Sequence, residues 1–185
     1  MNPEKNIKSY IKNNEDVFYV DKKNFSLSSI DINYLVGKAN KSQRNRARLC
    51  VHDNIDSNLH EMFIVKLKDT YVRPHKNLNK CKSFEVLEGE MDLVIFDENG
   101  KIIEIIQMCE YGQKKCFFYR ITETIYHSLI IKSKHALFKE TITGPFKSKD
   151  TIYADWSPPE NDLNKVHEFL QQVYTNINKL LNPKN

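Results

Sequence analysis

A chain of 185 residues can build one domain with a substantial core, and is too short for two ordinary domains and a linker. The formal net charge is +4 and the pI near 8.7, with acidic and basic residues interleaved throughout; this excludes the concentrated basic face expected of a nucleic-acid-binding protein. No apolar run approaches the length of a membrane span, MNPEKNIKSY has no signal-type apolar segment, and Cys50, Cys81, Cys109 and Cys116 form no CxxC pair. The expectation is a soluble cytoplasmic protein with free thiols that binds neither nucleic acid nor membrane.

In chain order, residues 1–41 read as an N-terminal extension. Its first dozen residues, polar and rich in Lys and Asn, are expected to be disordered. The segment SSIDINYLVGKANKS places Ile30, Tyr34, Leu35 and Ala39 on one face, which predicts a short helix that precedes a barrel and covers one opening. Residues 42–157 are dominated by short runs of Val, Ile, Phe and Tyr between turn residues, the signature of an all-β barrel or sandwich. Strands are predicted at MFIVKL (62–67), SFEVLE (83–88), MDLVIF (91–96), IIEIIQ (102–107), CFFYRI (116–121), SLIIK (128–132) and HALFKET (135–141). Gly89 and Asn99-Gly100 accept positive φ, so residues 83–107 read as consecutive antiparallel hairpins.

Residues 158–185 form the third segment, an amphipathic helix. In SPPE, Ser157 can cap it, Pro158 suits its first position and Glu160 can close a capping box. Leu163, Val166, Leu170, Val173, Ile177 and Leu180 then recur at three- and four-residue steps. That seam has two readings: packing on its own barrel, or contact with a second copy in a homodimer.

The chemistry centres on TYVRPHKNLNKCKSFEVLEGE. A barrel that binds a divalent metal needs imidazoles and a carboxylate converging from neighbouring strands, which one strand supplies as His-x-His followed by Glu. The row opens with Pro74-His75. The string RPHKNLNKCKSFEVLEGEMDLVIFDENG resembles the first motif of the cupins and, more narrowly, the WbuC family of cupin-fold proteins. RARLCVH (46–52), His127 in ITETIYHSLI, ETITGPF and ADWSPPE are similar to that family's other landmarks, in order, over residues 42–160. The resemblance implies a cupin jelly-roll (double-stranded β-helix) barrel with a short helix at each end.

Two departures fall on the metal positions: Asn77 stands where the family has a second histidine, and Lys82 where it has a glutamate. An amide oxygen is a weak ligand, and an ammonium has no lone pair and puts positive charge where a cation would sit. His75 and His127 alone would hold Zn, Ni or Fe weakly, and a metal-free barrel is the equal alternative. Glu85, by strand alternation, points to the opposite face from Lys82. Lys82 itself has three readings: an anion holder with Arg73, a base of lowered pKa, or the partner of a carboxylate filling the vacated space.

Arg44, Arg46 and Arg48 alternate along one prospective strand face, continued by Cys50 and His52. The row suits carboxylate or phosphate recognition, or else forms a charged, solvated edge. Cys50 reads as inert packing rather than a reactive thiol. His60, His135 and His167 carry no motif and read as ordinary hydrogen-bonded or surface residues. With five glycines the chain has no nucleotide-cradling loop, and it contains neither a GxSxG elbow nor an HExxH pair.

The resemblance implies a place in bacterial surface-polysaccharide (O-antigen, lipopolysaccharide) biosynthesis. One reading is an isomerase- or epimerase-like activity on a nucleotide-linked sugar, with His75, His127 and Lys82 as candidate catalytic residues. The other is a binding or regulatory barrel without turnover. In both, the candidate ligand contacts are Arg46, Arg48, His52, Arg73 and Asn77, and the partner is a small sugar or anion.

Overall fold

In the computed structural model, residues 7–9, 16–20 and 24–183 are described. Among the described residues twelve strands form two sheets. The larger contains β1 (Ile7–Ser9), β2 (Val17–Val20), β3 (Arg46–Cys50), β4 (Leu59–Leu67), β11 (His135–Thr143), β6 (Lys82–Glu88) and β9 (Phe118–Ile121), in the order β1-β2-β3-β4-β11-β6-β9. The smaller contains β12 (Thr151–Tyr153), β5 (His75–Asn77), β10 (Tyr126–Ile131), β7 (Glu90–Phe96) and β8 (Ile102–Cys109), in the order β12-β5-β10-β7-β8. Every pairing between these named strands is antiparallel except that of β2 with β3. Successive strands passing between two facing antiparallel sheets make the double-stranded β-helix, or jelly roll.

All seven predicted strands are present, but the turn at Gly89 does something other than close a hairpin. β6 pairs with β11 and β9, while β7 pairs with β10 and β8, so Gly89 carries the chain from one sheet to the other. Two consecutive runs of alternating residues look the same whether they pair with each other or with distant strands, and the sheet switch is what closes the barrel. Gly89 has φ +83, and a Cβ there would run into the His135 carbonyl oxygen. The Asn99-Gly100 turn does close a hairpin, between β7 and β8.

The core divides by layer. Between the sheets lie Met62, Ile64, Phe84, Val86, Met91, Leu93, Ile95, Leu129 and Phe138. Helix α1 (Ser29–Lys41) buries Leu35 and Ala39 on the outer face of the larger sheet, against Ala47, Leu49, Val65 and Leu137. It therefore covers a sheet face and not a barrel opening, and Ile30, expected on its buried side, is 52% exposed. The reason is alternation: β3 and β4 carry apolar residues on both faces, so the outer one also needs a cover. Ile7–Ser9, expected to be disordered, is the edge strand β1; the remainder of the first dozen residues lies outside the described ones.

Helix α2 (Leu163–Leu181) lies on the outer face of the smaller sheet. Val166, Leu170, Val173 and Ile177 of the seam are buried against Val94, Phe96, Tyr126 and Ile130 of the same chain, while Leu163 and Leu180 are exposed. The helix begins later than SPPE suggested. Its N-cap is Asp162, which accepts from the Lys165 amide at 3.3 Å, and Ser157 instead donates to the Ala154 carbonyl at 2.8 Å. Two prolines and a pair of arginines that engage Glu160 keep residues 158–161 out of the helix.

Candidate functional site

The two sheets enclose an open cavity of about 490 Å³. It is lined by every residue the sequence reading singled out as a catalytic, metal or ligand-binding candidate: His75, His127, Lys82, Arg46, Arg48, His52, Arg73 and Asn77. The mutual arrangement of these groups, however, depends on two residues that reading passed over, Glu140 and Lys66.

His75 on β5 and His127 on β10 stand directly opposite each other in register, with ring centroids 4.5 Å apart. The Nδ1 of His75 lies 2.9 Å from the Arg73 carbonyl oxygen, and that of His127 3.1 Å from the Ile125 carbonyl oxygen. A carbonyl can only accept, so each Nδ1 carries the proton and each Nε2 keeps its lone pair. Burial, reinforced by the positive charge of Lys82, pushes the His75 pKa down to about 4 and that of His127 well below its usual value. Both rings are therefore neutral at physiological pH.

Lys82, 6% exposed, lies with its Nζ 3.3 Å from His127 Nε2 and 3.4 Å from Glu140 Oε1. Of its three readings, the structure shows the paired lysine: it donates toward the imidazole and is neutralised by the Glu140 carboxylate. Burial alone would raise the Glu140 pKa, but the surrounding positive charge, led by Lys82, holds it below the usual range. Glu85 forms part of the β6–β11 ladder opposite Lys139 and does not line the cavity, as alternation requires.

This donor set does not fit a divalent cation. The Nε2 lone pair of His127 that an ion would need faces the Lys82 ammonium. Asn77 directs its amide nitrogen to Thr151 Oγ1 at 3.1 Å. Among the described residues no group of three or more His, Cys, Asp or Glu is placed to hold an ion. The Asn77 Oδ1 is a buried acceptor with no partner among those residues.

Lys66 is 8% exposed at the cavity wall, and among the described residues its ammonium has neither a hydrogen bond nor an ion pair. Burial lowers its pKa to about 8; the distant attraction of Glu140 works against that and the repulsion of Arg48 adds to it. The Arg48 guanidinium likewise lacks a side-chain partner among the described residues, and its charge acts on Lys66, His52, His60, Cys50 and Glu140 together. Arg44 and Arg46 differ from it. Both bond to Glu160, at 2.6 and 3.3 Å. Arg73 donates to Ser157 Oγ at 3.1 Å and to the Ala154 carbonyl at 3.2 Å, and it lies over the Tyr153 ring.

His52 stacks on His60 with centroids 4.0 Å apart, and both line the cavity. His60, expected to be an ordinary histidine, therefore belongs to the wall, while His135 pairs with Glu88 at 3.0 Å and His167 is exposed. Cys50 is buried and its thiol is pushed up by that burial, which suits inert packing. Eight cationic side chains and four carboxylates line the cavity among the described residues. The charge excess that looks scattered along the sequence is thus gathered in one place by the fold.

Lys66 and Glu140 did leave a signal in the sequence. The inward series Met62, Ile64, Lys66 and Ala136, Phe138, Glu140, Ile142 each interrupt an apolar row with one charge. A charge on the inward face of a buried strand requires a partner or a ligand.

Strand order, sheet switching and a polar interior between the sheets define a cupin-type barrel. A family model described as "Domain of unknown function (DUF6016)" matches residues 27–108. No curated protein sequence is similar to the chain. Among solved structures it is similar to protein SO0799 from Shewanella oneidensis, at 7% identity and TM-score 0.45 over 56% of this chain and 66% of that one. It is also similar to the Cnp3 cupin domain of Schizosaccharomyces pombe, at 13% and 0.43 over 55% and 66%. A mutant of the oxalate decarboxylase OxdC from Bacillus subtilis aligns at 18% and 0.41 over 54% of this chain and 25% of that one. The chain spans less than two thirds of each of these proteins.

Proposed function

We propose that the barrel is a metal-free receptor for a small hydroxylated oxyanion, a sugar acid or sugar phosphate, held by Arg48 and Lys66 beside the histidine pair. The observation that carries this reading is Lys66: a buried lysine whose ammonium has no counter-ion among the described residues, in the wall of an open cavity that is also lined by the exposed Arg48, whose charge acts on it. Burying an unpaired charge is costly, and an oxyanion bridging the two cations offsets that cost. The acceptor side of the cavity suits a hydroxyl group at His75, which is neutral with its Nε2 lone pair available, while that of His127 is engaged by Lys82. Lys82 and Glu140 neutralise each other and fix the His127 ring. On this reading an added divalent metal is not retained, which metal analysis of untagged protein checks.

The experiment is a thermal-shift and calorimetric screen with gluconate, glucuronate and glucose 6-phosphate, since a ligand of the folded state raises its melting temperature. At least one compound is expected to bind, and Lys66→Met and Arg48→Met are each expected to weaken it about tenfold or more, the loss of a charge-assisted hydrogen bond. Binding unaffected by either substitution, or no binding at all, would overturn the reading.

A second reading is favoured by the neutral imidazoles. His75 Nε2 is unprotonated and could take a proton from carbon next to a carbonyl, with Lys82 as the donor on the other side, which is isomerase- or epimerase-like chemistry. The resemblance to the WbuC family supplies the setting for it, sugar-nucleotide chemistry in surface-polysaccharide biosynthesis. The check is solvent deuterium incorporation into a keto-sugar nucleotide, followed by NMR. It should appear with native protein and vanish in His75→Ala; no incorporation by native protein removes this reading and leaves the receptor.

A further inference from the structure

The cavity rim holds a carboxylate that neither reading uses. Glu160 lies between β12 and α2, and its oxygens reach back to Arg44 at 2.6 Å and to Arg46 at 3.3 and 3.4 Å. All three residues line the cavity, and Arg46 is one inward step along β3 from Arg48, which has no side-chain partner among the described residues. The segment presenting Glu160 is anchored: the Tyr71 hydroxyl donates to the Pro158 carbonyl at 2.8 Å, and Ser157 is held by Arg73 and by the Ala154 carbonyl. The chain itself has thus placed one carboxylate on a pair of guanidiniums at the edge of a cationic cavity.

We propose that Glu160 sets the charge class of the ligand: it fills a second oxyanion position formed by Arg44 and Arg46, so the cavity takes a ligand with one oxyanion group at Arg48 and Lys66 and refuses a second. This rests on the oxyanion-receptor reading above. Without Glu160, Arg44 and Arg46 would join Arg48 and Lys66 as cavity cations with no ion pair among the described residues, and ligands with two anionic groups would be preferred. With it, a second anionic group meets a negative charge and finds its guanidiniums taken. Specificity of this kind comes from a built-in repulsive element as much as from the attractive contacts.

The test compares gluconate with glucarate, which share a linear six-carbon polyol skeleton and differ in carrying one carboxylate or two. Calorimetry is run on the full chain as native protein, Glu160→Gln and Glu160→Ala; the alanine variant covers the case in which the glutamine amide keeps both arginines engaged. Native protein is expected to bind gluconate at least as tightly as glucarate. In one or both variants glucarate should gain about tenfold relative to gluconate, the value of one charge-assisted contact. An unchanged ratio in both variants, or a native preference for glucarate, overturns the role of Glu160. Failure of both compounds with all three proteins overturns the receptor reading beneath it and is recognisable as such, because no ratio then exists to compare.

Discussion

The interior of the barrel has two parts built on the same strands. In the closed part, Val86, Leu93, Ile131 and Phe138 belong to one buried cluster between the sheets. Farther along the inward rows Ile64, Phe84 and Leu129 line the cavity, and the next inward positions are Lys66, Lys82 and His127, with Glu140 next after Phe138. The backbone pairing is continuous through both parts, so the difference is one of side chains alone. The closed part is stable because water is excluded from apolar surface; the open part stays folded although it holds charges that burial penalises, and only some of those charges are compensated within the chain.

The largest expected effects test that contrast directly. Phe138→Ala in the closed part should cost about 3–5 kcal/mol, the usual range for a fully buried phenylalanine. Glu140→Gln in the open part should cost a comparable amount, about 3–5 kcal/mol, because it leaves Lys82 buried without its carboxylate. Combining Glu140→Gln with Lys82→Met should recover most of that loss, an interaction with no counterpart in the closed part. Urea unfolding of the singles and the double measures it; strictly additive losses would mean that the two groups do not compensate each other.

Lys66 should behave in the opposite sense from a core residue. Its folded pKa, about 8, lies below the ordinary lysine value, so the fold disfavours the charged form, at a cost of about 3 kcal/mol while the lysine remains protonated. Between about pH 8 and 10.5 the unfolded chain binds the extra proton, so this group's contribution makes stability rise with pH through that window. Lys66→Met should stabilise the protein by about 1–3 kcal/mol at pH 7 and remove that rise. Unfolding curves at pH 7 and 9.5 for both proteins check the sign; a destabilised Lys66→Met would mean that its ammonium is already compensated. Anion affinity should run the other way, falling as pH rises through about 8 and free Lys66 loses its proton.

The smallest effect concerns Asp92, which is 1% exposed, with Oδ2 lacking a hydrogen bond among the described residues and Lys132 at 3.7 Å. Burial raises its pKa, so the fold prefers the protonated form. Asp92→Asn should be within about 1 kcal/mol of neutral and on the stabilising side at pH 7, read as a small rise in melting temperature.

The barrel was largely legible in the sequence, because alternation and turn residues mark each strand from within. Strand partners were not: Gly89 signals a turn with positive φ, and nothing local distinguishes a hairpin from a switch between sheets. The candidate histidines and Lys82 were legible through motif positions, whereas Glu140 and Lys66 had to be found by strand pairing. Their charges are ordinary in the sequence, and they become unusual only when an inward face is assigned to β4 and β11. Ser157 does not cap for a related reason, since its hydroxyl is taken by Arg73, distant in the chain, and by the Ala154 carbonyl three residues back.

The measurement that reaches the central claim most directly is the titration of Lys66 by NMR of its side-chain Cε and Nζ, assigned with Lys66→Met, with and without gluconate. The account predicts a midpoint near 8 in the free protein, below the ordinary lysine value, and an upward displacement by about one unit or more when the anion binds, about 1.4 kcal/mol of coupling per unit. A Lys66 that titrates with the ordinary lysines, unmoved by an anion that binds elsewhere, would contradict it.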